Sequence, residues 1–382
     1  MTIPARDDAG NTALRNGDAR ARLHVNLAAL RDNYRRFCAA TSARVSAVVK
    51  ADAYGLGVRQ VADTLYEAGC RTFFVAFTAE GVALRKHLRN VDIYVLSPLA
   101  TTEAHVLLRY GLIPCLYDLD GVDAWLVATR EAGMIMPAAL HVETGINRLG
   151  MHEQEVRVLC KDVRRRSRLH LVLLMSHLAC ADDPASTHNA KQLQRFESIR
   201  RLFPGVPASL CNSAGVFLGR NYHFDLVRAG IGLYGHDPHY RVTTPRVRPV
   251  VRFEAPLAQI KSLRAGEAVG YGATFVSRED KQIGVVLAGY ADGVDRRAFD
   301  PQAWPTLHVV LRGARIRVIG RISMDMTTVD LSALRGRQVV VGDAVEFFGA
   351  EIPVEEVAER LLTIPYELFT RIGSRVVRVY DA

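Results

Sequence analysis

Short apolar runs alternate with helical patterns over the first two thirds of the chain, and this alternation is the strongest constraint on its fold. Such alternation favours a parallel sheet covered by helices. The eight apolar runs are predicted strands that end at Lys50, Phe77, Ser97, Tyr117, Val142, His177, Asn212 and Arg228. The helical patterns between them cover residues 58–68, 79–87, 102–110, 119–132, 153–163 and 190–202. Eight strands alternating with helices over roughly 180 residues predict a closed (β/α)8 barrel.

The chain is therefore predicted to be an α/β protein with two domains. A (β/α)8 TIM barrel is expected at residues 22–245, followed by a mainly β C-terminal domain at residues 246–382. A closed eight-stranded barrel has no place for the strand-like run at residues 22–26, so we expect this run to pair with the C-terminal domain. Asn26 is a candidate N-cap for a helix at residues 27–37.

The C-terminal third consists of short β-rich segments separated by turn signals such as Arg312-Gly313 and Gly342-Asp343. The predicted strands lie at residues 250–255, 284–288, 307–311, 316–319, 327–329, 339–341 and 344–348. A single helix is predicted among them, at residues 353–362. We therefore expect a compact β domain.

Composition limits the classes of protein to which the chain can belong. Of its 382 residues, 49% are hydrophobic and 23% are charged, which is typical of a soluble globular protein. Residues 1–21 form a polar leader of mixed charge, which is predicted to be neither a signal peptide nor a membrane anchor because it lacks an apolar core. No run in the sequence approaches the length of a membrane span. The six cysteines are scattered and form no C-x-x-C pair, which predicts free thiols in a reducing cytoplasm.

The net charge of +9 does not by itself indicate nucleic-acid binding. The 49 basic residues are interleaved with 40 acidic ones, and the densest basic cluster, at residues 161–168, contains no aromatic side chain. This cluster is predicted to be a solvated helix face. The excess positive charge favours an anionic ligand such as a phosphate-bearing cofactor. No metal site, nucleic-acid partner or membrane partner is predicted.

A lysine closes the first predicted barrel strand. Residues 47–57 read AVVKADAYGLG, so Lys50 ends an apolar run just before a glycine-containing turn. A lysine in such a place can be desolvated enough to act as an amine nucleophile or a base. A Schiff base with pyridoxal 5'-phosphate is the favoured interpretation, and an ordinary strand end is the alternative.

The barrel prediction brings further side chains to the same rim as Lys50. Active sites of such barrels lie at the carboxyl ends of the strands, and closure makes the first and eighth strands neighbours. Lys50 and Arg228 are therefore expected to converge, with His177 and the Asn212-Ser213 pair around the same rim. The glycine-rich turn at residues 228–235 offers backbone N–H groups for a phosphate.

Residues 47–57 closely resemble the pyridoxal-phosphate-binding segment of the alanine racemases, which are enzymes of fold type III. The resemblance implies that Lys50 carries the cofactor and that Arg228, oriented by His177, faces the pyridine nitrogen. An arginine there is a poor proton donor, so it restrains carbanion delocalisation into the ring. The phosphate ligands that the resemblance implies are Tyr54, Ser213, Gly230, Ile231 and Tyr366, and Asn212 is placed with them in the cofactor site.

Arg148 lies within the sequence ETGINRLG at residues 143–150. It resembles the arginine that contacts the phenolic oxygen of the cofactor and the substrate carboxylate. Some family members brace this arginine with a carbamylated lysine, and His141 stands at that position here. Whether His141 itself or a bound anion beside it braces Arg148 is left open.

Three motifs in the C-terminal third also resemble the alanine racemases and occur in family order. GYGATF, which begins at Gly270, matches the segment whose tyrosine, here Tyr271, is the second catalytic base. GYADG begins at Gly289. GRISMDM begins at Gly320 and matches the loop that closes over the substrate, in which Met324 offers its backbone N–H.

The resemblance covers about residues 22–380 and implies an amino-acid racemase that interconverts L-alanine and D-alanine, supplying D-alanine for peptidoglycan. It implies a two-base reaction on a Schiff base of pyridoxal 5'-phosphate, in which Lys50 serves the D-enantiomer and Tyr271 the L-enantiomer. Because the second base of the family reaches the cofactor of the other subunit, it also implies a homodimer with Tyr271 contributed across the interface.

Other functions stay open from the sequence. A racemase of broader specificity, accepting serine or larger side chains, is one alternative, and a catabolic role is another. A fold-type III amino-acid decarboxylase would typically carry a cysteine in its β domain, whereas no cysteine follows Cys211. A non-catalytic cofactor-binding or nucleic-acid-binding protein would leave Tyr271 and the Met324 loop unexplained.

Overall fold

The structure is a computed structural model that describes residues 19–241, 246–299 and 306–382. The chain divides into two compact units. The barrel unit comprises Leu27–Arg248, and the C-terminal unit comprises the described residues before Leu27 together with Pro249–Ala382. Residues 1–18 of the predicted leader lie outside the described residues.

Eight parallel strands form the sheet of the barrel unit, which confirms the predicted fold class. Strand β1 (Arg22–Asn26) belongs to the C-terminal unit, and the barrel strands are β2 (Arg44–Val48), β3 (Thr72–Val75), β4 (Asp92–Val95), β5 (Ile113–Leu116), β6 (Pro137–His141), β7 (His170–Met175), β8 (Ala208–Ser209) and β9 (Leu226–Ala229). They pair in chain order from β2 to β8, and β2 also pairs with β9. Strand β8 has only two residues, and single hydrogen bonds join the chain around it to β9. One of them runs from Arg228 N–H to Cys211 O at 3.0 Å.

Helices connect the barrel strands at the predicted places. They are α1 (Leu27–Ala40), α2 (Val58–Glu67), α3 (Thr78–His87), α4 (Ala104–Tyr110), α5 (Leu119–Glu131), α6 (Glu153–Lys161), α7 (Val163–Arg168) and α8 (Thr187–Arg200). The helix predicted at residues 153–163 is divided at Asp162, because its carboxylate accepts hydrogen bonds of 3.0 Å from the N–H groups of Arg164 and Arg165 and so caps α7. No residue of α7 is buried, so the basic cluster does lie on a solvated helix.

The core of the barrel is filled by side chains that project inwards from the strands. Phe74, Tyr94, Cys115, Leu173 and Met175 are buried and belong to one apolar cluster. Burying an apolar side chain of this size contributes about 1.5–3 kcal/mol. The interior is thus a packed core, and the chemistry is left to the ends of the strands.

Most of the barrel strands end one to three residues before the predicted positions. The backbone hydrogen bonds account for these earlier strand ends. Val49 N–H still donates to Phe74 O at 2.9 Å, and Val142 N–H donates to Met175 O at 2.8 Å, but the chain then leaves the ladder. The side chains that the sequence placed at strand ends, Lys50 and His177 among them, therefore lie in the first turn beyond the sheet.

The C-terminal unit is built on a mostly antiparallel sheet. Its further strands are β10 (Val251–Leu263), β11 (Ala268–Val269), β12 (Phe275–Val276), β13 (Lys281–Val286), β14 (His308–Leu311), β15 (Ala314–Arg317), β16 (Thr327–Asp330), β17 (Ala344–Phe348) and β18 (Val377–Asp381). Strand β1 pairs antiparallel with β10 and parallel with β18. The N-terminal strand thus lies between β10 and β18, in a sheet whose other members come from the last third of the chain.

Two predictions for the C-terminal unit were wrong in detail. The run at residues 339–341 is not a strand, because Val340 exchanges hydrogen bonds with Asp343 and closes a turn instead. The predicted helix is shorter, α9 (Val354–Arg360), and a second helix, α10 (Pro365–Thr370), follows it.

Among the helices of the described ranges, none is long and apolar enough to cross a membrane.

We expect the N-terminal strand to stabilise the C-terminal unit. Leu23 of β1 is fully buried, so Leu23→Ala should lower the free energy of unfolding by about 2–5 kcal/mol. Hydrogen–deuterium exchange of peptides covering β10 and β18 measures the loss of protection. Arg22→Ala, at an exposed position of the same strand, is the matched control. Unchanged exchange in the Leu23→Ala variant would contradict this expectation.

Candidate active site

The barrel unit gathers its predicted site residues at the carboxyl ends of the strands. Lys50 follows β2, Arg148 lies in the loop after β6, and His177 follows β7. Asn212 and Ser213 follow β8. Arg228 belongs to β9, the strand that pairs with β2, and Gly230 and Ile231 come directly after it.

Lys50 begins a helical turn of left-handed sense. The φ angles of Ala51, Asp52, Ala53 and Tyr54 are 53°, 54°, 53° and 59°. For residues with a side chain, this conformation costs about 1–2 kcal/mol each, so four in succession need support from outside the turn. Hydrogen bonds within the turn, such as that from Ala53 N–H to Val49 O at 3.0 Å, supply part of it.

Glu80, at the start of α3, supplies further support. One of its carboxylate oxygens accepts a hydrogen bond from Ala51 N–H at 2.8 Å. The other accepts from Ala76 N–H at 2.7 Å and from Phe77 N–H at 3.3 Å. The turn after Lys50 is thereby attached to the end of β3.

The ammonium of Lys50 is destabilised by its surroundings. Burial, and then the positive charge of Arg148, lower its pKa from the ordinary lysine value, while Glu80 opposes the change. A lowered pKa increases the fraction of neutral amine at a given pH, and the neutral amine is the nucleophile and the base. Lys50 is therefore suited to form a Schiff base and to exchange a proton.

Arg228 is fixed by partners on three sides. Its side chain donates to Ser209 Oγ and to Ser176 O, both at 2.5 Å, and approaches His177 Nδ1 at 3.4 Å. The residue is only 4% exposed. Burial lowers the pKa of Arg228 to about 10, which still leaves the guanidinium charged at neutral pH. These neighbours, rather than solvent, determine the orientation of the Arg228 guanidinium.

His177 is the neutral partner in this arrangement. Burial, followed by the charges of Arg228 and Arg148, holds its pKa well below the ordinary histidine value. A neutral imidazole can accept through one nitrogen, so Nδ1 can receive the N–H of Arg228 when the proton lies on Nε2. The predicted contact between His177 and Arg228 is present in the structure.

A small polar cradle lies next to Arg228. Ser213 Oγ accepts hydrogen bonds from Gly230 N–H at 2.8 Å and from Gly232 N–H at 3.2 Å. A Cβ on Gly230 would lie only 2.7 Å from Tyr54 Oη, so glycine is required for this close approach. The hydroxyl groups of Tyr54 and Ser213 thus both lie against Gly230, and hydroxyl donors beside a backbone turn fit a phosphate group.

Arg148 lies in an exposed loop that is held by hydrogen bonds at its base and to the end of β7. Glu143 N–H donates to Met151 O at 3.0 Å, and the Glu143 carboxylate accepts from Gly145 N–H. Thr144 Oγ1 lies 2.7 Å from Ser176 Oγ, which ties this loop to the end of β7. The guanidinium remains close enough to lower the pKa of Lys50 and of His177.

His141 is a buried residue close to the guanidinium groups of Arg228 and Arg148. The side chain is buried, its ring centroid lies 5.1 Å from that of Tyr117, and Nδ1 has no hydrogen-bond partner among the described residues. Burial, and then the charges of Arg228 and Arg148, lower its pKa to about 3. A neutral imidazole thus lies close to the two charged arginines.

Two predicted residues of the C-terminal unit, Tyr271 and Met324, lie on exposed turns. Tyr271 is 70% exposed, and Met324 is also exposed. The turn at Tyr290 packs on the Met324 loop, because Tyr290 N–H donates to Ser323 O at 3.1 Å. A Cβ on Gly289 would overlap the carbonyl oxygens of this loop. Tyr366 lies on α10 and is half-buried.

Several polar residues of both units were missed by the sequence analysis. In the barrel unit they are Glu80, Ser176 and Ser209. In the C-terminal unit, Arg375 donates to Asp292 at 2.6 Å and to Asp325 at 2.7 Å, next to Met324. Only Glu80 had a sequence signal, because a glutamate in the first turn of a predicted helix often caps it.

We expect acid to destabilise the barrel unit through His141. An unfolded histidine binds a proton below about pH 6.5, whereas folded His141 has a pKa of about 3. The unfolded chain therefore binds more protons in this window, and the free energy of unfolding should fall as the pH falls. This histidine alone contributes at most about 1.4 kcal/mol per pH unit. Urea unfolding followed by circular dichroism between these pH values measures the slope.

His141→Gln should give a shallower slope than the wild type, because the titrating group is gone. His170→Gln, at an exposed position of β7, is the matched control. Equal slopes for the two variants would contradict this role of His141.

The chain matches two family models, alanine racemase N-terminal domain over residues 25–238 and alanine racemase C-terminal domain over residues 250–380. The biosynthetic alanine racemase of Agrobacterium fabrum is 40% identical over 367 residues, which cover 94% of this chain and 93% of that protein. The alanine racemase of Rhizobium meliloti is 40% identical over 369 residues, which cover 95% of this chain and 97% of that protein.

Solved structures give the same result. The alanine racemase from Bartonella henselae with covalently bound pyridoxal phosphate has a TM-score of 0.89 and 35% identity, and the match covers 95% of this chain and 100% of that chain. The alanine racemase from Streptomyces coelicolor A3(2) has a TM-score of 0.88 and 33% identity over 96% of this chain and 99% of that chain. This chain therefore belongs to the alanine racemase family.

Proposed function

We propose that this protein interconverts L-alanine and D-alanine, with pyridoxal 5'-phosphate attached to Lys50. The observation that carries this proposal is the juxtaposition at the barrel rim: a lysine with a lowered pKa follows the strand that pairs with the strand of the fixed cation Arg228. Membership of the alanine racemase family supports the same reaction.

The residues of the rim suit the cofactor. Ser213, Tyr54 and the Gly230–Ile231 backbone would hold the phosphate, with Asn212 beside them and Tyr366 as a further proposed ligand. Arg228 would face the ring nitrogen. Because its guanidinium stays protonated, it is a poor proton donor to that nitrogen. When bound, the cofactor withdraws electrons from an attached amino acid and acidifies its α-hydrogen.

Racemisation needs a proton carrier on each face of the substrate. We assign Lys50 Nζ to one face, serving D-alanine, and Tyr271 Oη to the other, serving L-alanine. The neutral amine of Lys50 accepts the α-proton on its side, and the phenol of Tyr271 returns one on the opposite side. Arg148 and the backbone N–H of Met324 would hold the substrate carboxylate in place.

The proposal extends to the assembly and the cellular role. Tyr271 is exposed in the chain, and a side chain placed to serve a neighbouring copy would be exposed in this way. We propose a homodimer in which Tyr271 of the partner subunit completes each site. The free cysteines suit a cytoplasmic enzyme, and D-alanine for peptidoglycan would be its product.

The reaction and its lysine can be tested together. The purified protein should convert L-alanine to D-alanine without releasing carbon dioxide, and Lys50→Ala should abolish the conversion, because both the covalent link and one base are lost. Borohydride reduction of the wild type followed by peptide mapping should find the cofactor on Lys50. Label on another lysine would exclude the assignment, and carbon dioxide release would favour a decarboxylase. Lys161→Ala, within the solvated basic cluster, is the control.

The second base and the dimer can be tested with two inactive variants. Tyr271→Phe should lower kcat by about 10²- to 10⁴-fold, because a positioned proton transfer is lost, while the cofactor content is unchanged. Mixed dimers of Lys50→Ala and Tyr271→Phe chains should regain activity, since one of the two composite sites is then intact. Mixed dimers that form fully and stay inactive would contradict the shared site. Tyr240→Phe is a control for the loss of a phenol elsewhere.

A further inference from the structure

We propose that Glu80 is a positioning residue for the racemase reaction: its carboxylate holds the left-handed turn after Lys50 and so fixes where the Lys50 amine lies. This inference rests on the role proposed for Lys50. Glu80 acts through the backbone of Ala51, and it is not assigned any contact with substrate or cofactor.

The contacts of Glu80 join three segments of the barrel unit. Its Oε1 receives the N–H of Ala51, the residue directly after Lys50, at 2.8 Å. Its Oε2 receives the N–H groups of Ala76 and Phe77, at 2.7 and 3.3 Å, where β3 passes into α3. The carboxylate thus connects the chain beyond Lys50 to the neighbouring strand of the sheet.

The turn depends on such a connection at its beginning. Ala53 and Tyr54 are buried and are held by packing, but Ala51 and Asp52 are exposed. Both exposed residues have left-handed φ angles, which a residue with a Cβ adopts reluctantly. Without the acceptor on Glu80, Ala51 can relax towards negative φ, and this rotation would carry the adjoining Lys50 with it.

Helix capping alone does not account for this arrangement. Glu155 occupies the corresponding position of α6 and accepts a hydrogen bond from His152 N–H at 3.3 Å. The described contacts of Glu155 cap its own helix only, whereas Glu80 caps α3 and also reaches the Lys50 turn. Glu155 is therefore a matched control that separates capping from positioning.

The negative charge of Glu80 offers a second way to influence Lys50. It opposes the lowering of the Lys50 pKa that burial and Arg148 cause, and His177 also lies within electrostatic range of Lys50. A purely electrostatic role would depend on the charge of residue 80 and would not involve the conformation of Ala51. This difference can be measured.

The experiment compares Glu80→Ala, Glu80→Gln and Glu155→Ala in enzyme reconstituted with pyridoxal 5'-phosphate. Glu80→Ala should lower kcat by about 10- to 100-fold with KM for alanine within about twofold, because the amine is misplaced while the substrate site is kept. Glu80→Gln retains one acceptor oxygen and should fall between this variant and the wild type. Glu155→Ala should lower the melting temperature without changing kcat.

A rescue variant tests the role of the turn directly. Glycine adopts positive φ about as readily as negative φ, so Ala51→Gly in the Glu80→Ala background should recover several-fold of the lost kcat. Equal losses for Glu80→Ala and Glu80→Gln, with no recovery by Ala51→Gly, would show an effect of charge and overturn the proposal. Wild-type kcat in Glu80→Ala would also overturn it, since Glu80 would then be only a helix cap.

A readout independent of turnover completes the test. Cofactor-free Glu80→Ala should capture added pyridoxal 5'-phosphate several-fold more slowly than the wild type, as measured by borohydride trapping, yet the label should still map to Lys50. A label elsewhere in the wild type would refute the proposed function, whereas a label on Lys50 at the wild-type rate would refute only the role of Glu80. If Glu80→Ala fails to fold, Glu80→Gln with and without Ala51→Gly decides: recovery of kcat by the glycine supports the role of the turn, and a loss of kcat without recovery overturns it.

Discussion

The parallel pairing of β2 with β9 is the interaction on which the rest of the barrel site depends. Ser46 lies opposite Arg228, and Ala47 lies opposite Ala229. This register brings the turn that starts at Lys50 beside the turn that starts at Gly230, although the two are far apart in sequence. The close approach of Tyr54 to Gly230 follows directly from it. A shift of one residue would point Arg228 away from its partners and would separate the Lys50 amine from the polar cradle at Ser213 and Gly230.

The pKa values of the residues at the barrel rim follow from the close packing of these turns. Lys50, His141 and His177 each have a pKa lowered by burial and by Arg148 or Arg228. Burial and the two arginine charges thus disfavour the protonated forms of all three groups. An anionic ligand would relieve the repulsion between the arginines, so phosphate and carboxylate groups are favoured. The neutral His141 adds no charge to this positive potential.

The sequence predicted the parallel barrel because apolar periodicity and strand-end polarity are local signals. It failed at residues 339–341, where a run of valines is typical of a strand but Asp343 draws the backbone of Val340 into a turn. It also could not reveal Glu80 or Ser209, whose roles depend on hydrogen bonds to partners 29 and 19 residues away. Nor does any propensity indicate four left-handed residues with side chains, because only glycine is expected there. The roles of the predicted site residues themselves stay predictions.

The three motifs of the C-terminal unit illustrate a different kind of constraint, which is steric. A Cβ on Gly320 would lie 2.9 Å from Val269 O, just before Tyr271, and a Cβ on Gly289 would overlap the carbonyl oxygens of Ser323 and Met324. The backbones of the three motifs are therefore in direct contact and can pack only when glycine occupies these positions. It follows that Tyr271 and Met324 are placed by one shared cluster of backbone contacts. A side chain introduced at either glycine would therefore displace Tyr271 and the Met324 loop together.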